Sequence, residues 1–168
     1  FIENISSEGP LETRPISHRT LLGNINPGLP PSERTKEVLN RFLSRAFRRP
    51  PKPEEIQRFS SIVESTTASG GKWESGIQLA IQAALVSPKF LFRLELDDRP
   101  TSTETQPLDE FQLASRLSYF LWSSMPDDEL LALAEAGKLS NQKTLDAQVT
   151  RMLADPRSAA LAENFAGQ

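Results

Sequence analysis

Trp73-Glu74-Ser75-Gly76-Ile77-Gln78-Leu79-Ala80-Ile81-Gln82-Ala83-Ala84-Leu85-Val86-Ser87-Pro88 decides the fold. Trp73, Ile77, Ala80, Ile81, Ala84 and Leu85 recur at spacings of three and four, which sets them on one face of a helix. Leu79, Ala83 and Val86 make the opposite face apolar too. A helix apolar nearly all round belongs at the centre of a bundle. The stretch therefore predicts an all-α protein with this helix in its middle. Ser87-Pro88 breaks the helix, and Phe90, Leu91, Phe92 and Leu94 follow as an apolar turn.

Two more helices precede it. One spans about Ser32 to Phe47, with Ser32 as N-cap and Val38, Leu39, Phe42, Leu43, Ala46 and Phe47 as its stripe. Pro50-Pro51 stops it. The next starts near Pro53, where Glu54 and Glu55 complement the helix dipole, and Ser69-Gly70-Gly71 ends it. Residues 31–96 thus read as a first helical unit. Residues 1–12 read as a strand remnant, the end of an upstream β domain, because Phe1, Ile2 and Ile5 favour strands and Gly9-Pro10 breaks the segment. Residues 13–30 read as an extended linker.

On the other side, residues 97–106 are polar throughout and mark an internal linker. Residues 107–168 form a second helical unit. Its first helix begins at Pro107 and carries Leu108, Phe111, Ala114, Leu117, Phe120 and Leu121. Pro126 opens the next, and Gly137 caps it. Another follows Ser140, with Leu145, Val149, Met152 and Leu153 inside. Asp155-Pro156 opens a last helix, cut at Gln168, whose Leu161 and Phe165 are expected to pack near Phe120 and Met152. About seven helices in two sequential units result, with sequential helices packed as antiparallel neighbours.

Composition excludes much chemistry. The 168 residues are 38% hydrophobic and 24% charged, which suffices for a folded core. The net charge of -3 gives no general attraction to nucleic acid. Without cysteine there is no disulfide, thiolate metal site or covalent haem attachment, and one histidine, His18, removes most zinc and iron chemistry. No metal or other cofactor is expected in this chain. No apolar run approaches the roughly 20 residues a membrane span needs. The start lacks Met and the end lacks a helix stop, so both ends read as cuts within a longer polypeptide.

Four segments carry a resemblance: Arg45–Pro50 (RAFRRP), Gly76–Arg93 (GIQLAIQAALVSPKFLFR), Leu113–Leu130 (LASRLSYFLWSSMPDDEL), and Met152–Arg157 with Asn164–Gln168 (MLADPR, NFAGQ). In this order they resemble the consecutive helical planctomycete-specific domains of unknown function, found in large exported proteins that also carry cytochrome c domains. The resemblance spans roughly residues 32–168. It implies export, haem c in flanking domains, a β-sandwich upstream and a cytochrome-like domain downstream as neighbours. It supplies no catalytic residue. Some relatives bracket the linker before the first helix with a cysteine pair, which this chain lacks.

The candidate sites each carry two readings. Arg41, Arg45, Arg48, Arg49 and Lys52 form a basic cluster that suits a haem propionate, an acidic partner or a polyanion, or else a solvated helix end. Asp127, Asp128 and Glu129 suit a cation or acid/base work, or else a helix first turn. Ser69-Gly70-Gly71-Lys72 lacks the spacing of a phosphate loop and reads as a helix stop. His18 reads as a surface linker residue. Trp73, Tyr119 and Trp122 suit a sugar floor or a haem edge, or else the core. No catalytic set emerges. The leading expectation is a non-catalytic structural and interaction module. The alternatives are the helical part of a haem-dependent peroxidase-like or oxidative polysaccharide-processing enzyme, and a binding module for carbohydrate or an acidic ligand.

Overall fold

The computed structural model describes residues 20–21, 25–26, 28–93 and 107–166, and these are helices and turns without a strand. The strand remnant expected at 1–12, the linker 97–106 and His18 lie outside the described residues. Within the expected linker 13–30, Thr20 and Leu21 are helical rather than extended, and Ile25 packs on the first core.

Helix α1 spans Pro31–Phe47. Pro31 occupies its first position, where a missing N–H costs nothing, so Pro30 and not Ser32 takes the cap. Helix α2 spans Pro53–Ala68. It ends in a Schellman turn, with Gly71 N donating to Thr66 O and Gly70 N to Thr67 O. Gly70 takes φ +84°, a conformation that suits glycine. Helix α3 spans Trp73–Leu85 and folds back on α2. The two backbones approach so closely that a Cβ on Gly76 would lie 2.9 Å from Val63 Cα. Val38, Leu39, Leu43 and Phe47 from α1, Phe59 and Val63 from α2, and Ile77, Ala80 and Ala84 from α3 make the first core.

Helix α3 is not central. One face is buried, but Leu79 is 47% and Val86 72% exposed. Ser75, Gln78 and Gln82 interrupt that outer face and are exposed beside them, so α3 forms an edge of the unit. The apolar turn after it is a short helix, α4, Pro88–Leu91.

The second unit begins with α5, Glu110–Trp122. The helix starts three residues later than Pro107 because Asp109 caps it. Its carboxylate accepts from Gln112 N at 2.7 Å while the Gln112 side chain accepts from Asp109 N at 3.0 Å. Helix α6, Asp128–Glu135, is capped by Asp127 and closes in a second Schellman turn at Gly137, φ +63°. Helix α7, Gln142–Ala154, is capped by Asn141. The expected final helix is broken. Pro156–Ser158 is a 3₁₀ turn, followed by a short α8, Ala159–Leu161, and a π turn, Ala162–Ala166. Asp155 takes the Arg157 N–H on its side chain and the Ser158 N–H on its backbone oxygen, which tightens the turn to three residues.

Trp122 sits inside the second core with Ala114, Leu121, Leu130, Ala134, Leu139 and Met152, and its Nε1 donates to Met152 O at 2.9 Å. Half-buried Leu161 packs on this core, as expected. Phe120 does not join it and is 58% exposed. The side chain of Phe165 lies outside the described residues. Among the described residues, no helix is long and apolar enough to cross a membrane.

Candidate functional site

The end of α1 builds the site. The backbone leaves the helix at Arg48 in the left-handed region, φ 58°, which costs an L-residue roughly 1–2 kcal/mol. The turn buries the Arg48 side chain, and its guanidinium donates to the backbone oxygens of Lys89 and Phe92 at 2.9 Å, and of Ala46 and Phe90 at 3.3 and 3.4 Å. One side chain therefore ties α4 and the residue after it to α1 and offsets the strain.

Beside it, Glu55 is a buried hub. Both its oxygens accept from the Arg49 fork at 2.9 Å, Lys52 N donates to it at 2.7 Å, and the Lys89 ammonium donates as well. Burial pushes the Glu55 carboxyl up, but these hydrogen bonds outweigh it and hold it down at about 2. The same pair raises the Arg49 guanidinium above its usual range.

Between this hub and α5 lies a cleft of about 860 Å³. Arg48, Arg49, Lys52, Lys89, Arg93 and Arg116 line it, against one carboxylate, Asp109. Tyr119 forms part of the wall, with the guanidinium carbon of Arg93 4.7 Å and that of Arg48 5.9 Å from its ring centroid. These contacts link the two units.

The sequence-derived basic cluster thus divides. Arg48, Arg49 and Lys52 line the cleft. Arg41 pairs with Glu37 one turn back at 3.2 Å, and Arg45 pairs with Asp128 of the second unit at 2.6 Å. Lys89, Arg93 and Arg116 were not anticipated. They stand far along the chain from Arg48, and no local pattern brings them to it. Glu55 was legible as a first-turn acid, not as a hub.

The acidic trio divides as well. Asp127 caps α6 and pairs with Arg151 at 2.8 Å. Burial raises its carboxyl, but the Arg151 and backbone hydrogen bonds overcome this and hold it below its usual range. Asp128 reaches Arg45, and Glu129 accepts from Gln148 at 2.7 Å. Asp127 and Glu129 share the Arg151 guanidinium, the latter at 3.3 Å, so both are held in ion pairs. Trp73 donates to Thr35 Oγ1 at 2.9 Å and has Arg34 over its ring. Trp122 is buried, with Arg157 3.5 Å from its centroid. Ser69-Gly70-Gly71 is the α2 stop. Among the described residues, no group of three or more His, Cys, Asp or Glu side chains converges as metal ligands would.

Residues 34–95 match the family described as PSD5, protein of unknown function (DUF1595), and residues 108–168 match PSD4, protein of unknown function (DUF1592). No match emerges among curated proteins or among solved structures.

Proposed function

From the premise that the chain joins a PSD5 segment to a PSD4 segment, both of families of unknown function, we propose that it is a non-catalytic structural and interaction module. It holds neighbouring domains of one longer polypeptide in fixed relation. By resemblance those neighbours are a β-sandwich upstream and a cytochrome-like domain carrying haem c downstream, in an exported protein. This chain has no cysteine and one histidine, so the haem ligands belong to the neighbours.

The observation that carries the reading is the use made of the charged residues. The carboxyls of Glu55, Asp127, Asp155 and Glu110 are all held below their usual values by hydrogen bonds that cap helices or join elements. A general acid or base needs a value moved towards the working pH, not away from it. The basic end of α1 likewise serves as a joint, through Arg45–Asp128 and the arginines on Tyr119.

The test is made on the full-length polypeptide. Asp128→Asn, Glu129→Gln and His18→Gln are expected to leave its turnover unchanged. A hundredfold fall with an unchanged melting temperature for any of them replaces this reading with a catalytic one.

A further inference from the structure

We infer that the cleft between the units is a docking site for an acidic peptide segment of a partner polypeptide that also carries aromatic or aliphatic side chains. The inference rests on the reading of the chain as an interaction module and adds, beyond the neighbouring domains of its own polypeptide, the chemistry of a separate partner.

Charge complementarity comes first. The chain as a whole is acidic, net -3, yet the cleft gathers six cations against Asp109, with Glu55 behind them. A local cationic basin on an acidic molecule focuses potential and selects an anion there, rather than attracting polyanions to the whole surface. Lys52 is exposed at its edge.

The apolar rim specifies the rest. Phe120 lines the cleft and is 58% exposed, with Phe111 and Leu161 also in the lining. Arg93 and Tyr119, in contact at 4.7 Å, line the same cleft as Phe120. Cationic and apolar groups therefore stand together. A bare polyanion leaves Phe120 in water. A sugar needs an open aromatic face, and Tyr119 already carries two guanidinium groups. A segment alternating carboxylates with apolar side chains satisfies both kinds of group.

The test is titration calorimetry on the whole chain at low salt. The probe is a capped synthetic peptide of glutamate and phenylalanine. A glutamate–glycine peptide, a lysine–phenylalanine peptide, heparin and inorganic phosphate are the comparisons. The glutamate–phenylalanine peptide is expected to bind, and the lysine peptide not to. Lys52→Glu and Phe120→Ser, both at exposed positions, should each weaken it about tenfold, as should raised salt. Circular dichroism of both variants checks that they are folded. Absence of binding overturns the inference. So does binding that Phe120→Ser leaves intact, or equal affinity for glutamate–glycine peptide or heparin, which means a general anion patch. The measurement needs no turnover, so it fails independently of the test of the module reading.

Discussion

The two helical units solve the same problem differently. In the first, no N-cap residue of the three long helices accepts a backbone N–H on its own side chain, although Glu55 in the first turn of α2 takes the Lys52 N–H. Pro30, Lys52 and Lys72 stand at those positions. Its order comes from close backbone packing of α2 on α3 and from the buried Glu55 hub at the end of α1. In the second, Asp109, Asp127, Asn141 and Asp155 each accept a backbone N–H at the start of a helix or turn. Local caps define that unit element by element, around one tryptophan. The first unit should therefore be vulnerable at a few nonlocal points, and the second at its core and, more mildly, at each cap.

The largest expected effect tests the tryptophan. Trp122→Ala removes a buried ring and leaves Met152 O without its donor, so it should cost about 3–5 kcal/mol of stability in chemical denaturation. A loss below about 1 kcal/mol would mean that the second core does not depend on this residue.

Glu55→Gln comes next. It keeps the shape but leaves Arg49 and Lys89 without a charged partner, so a loss of about 1–3 kcal/mol is expected. The pH dependence has a definite sign. Glu55 is held at about 2 against an ordinary 4.5. A depressed carboxyl stabilises the fold above its ordinary value, and that stabilisation is lost as pH falls through 4.5 towards 2. Melting temperatures across that range should fall less steeply in Glu55→Gln than in the parent. Equal slopes would remove the hub from the account.

Gly76→Ala tests the other nonlocal point. The added Cβ meets the Val63 backbone, which has no flexible end to move aside. Overpacking of this kind costs typically about 1–3 kcal/mol, set against the gain of roughly 1 kcal/mol that alanine brings to a helix. A stabilised variant would show that α2 and α3 separate more easily than their packing implies.

The contrast between the units also explains what the sequence made legible. Proline and glycine punctuation is local, so the stops at Pro50-Pro51, Gly70 and Gly137 were readable, and the apolar spacings gave both cores. The starts of α1 and α5 were misplaced by one and three residues, because a cap is chosen among adjacent candidates by geometry. The centrality assigned to α3 failed because apolar residues on its outer face were counted while Ser75, Gln78 and Gln82 between them were not. The cleft was half legible. Arg48, Arg49 and Lys52 are contiguous enough to stand out, whereas Arg93 and Arg116 reach them only through the tertiary fold. Arg41 and Arg45 belonged to the sequence cluster but turn to Glu37 and Asp128.

Cap removal is a milder test of the second unit. Asp109→Ala removes the carboxylate that accepts from Gln112 N at the start of α5 while the backbone N–H that donates to the Gln112 side chain stays, and a loss of about 1 kcal/mol is typical for such a cap. Ser32→Ala, at the position where a cap was expected and Pro30 serves instead, should change stability by less than about 0.5 kcal/mol. Equal losses at the two sites would erase the distinction between the units.

The smallest effect concerns what joins them. Arg45 and Asp128 lie 2.6 Å apart, but their side chains are 52% and 83% exposed. In high dielectric the attraction is weak, and holding two mobile side chains together costs entropy, so exposed pairs contribute about 0–1 kcal/mol. The buried Arg48 and the Arg93–Tyr119 contact are better placed to carry the junction. A double-mutant cycle of Arg45→Ala and Asp128→Ala should accordingly give a coupling below about 0.5 kcal/mol. That coupling should vanish at high salt, since exposed charges are screened over about 10 Å at 0.1 M. Arg93→Gln keeps much of the side chain but removes the cation from Tyr119, and should loosen the junction by about 0.5–1 kcal/mol. If the Arg45–Asp128 coupling proves the larger of the two and survives salt, the units are joined at α6 by an ion pair less solvated than its exposure implies. The cationic cleft would then lie beside the junction rather than form it.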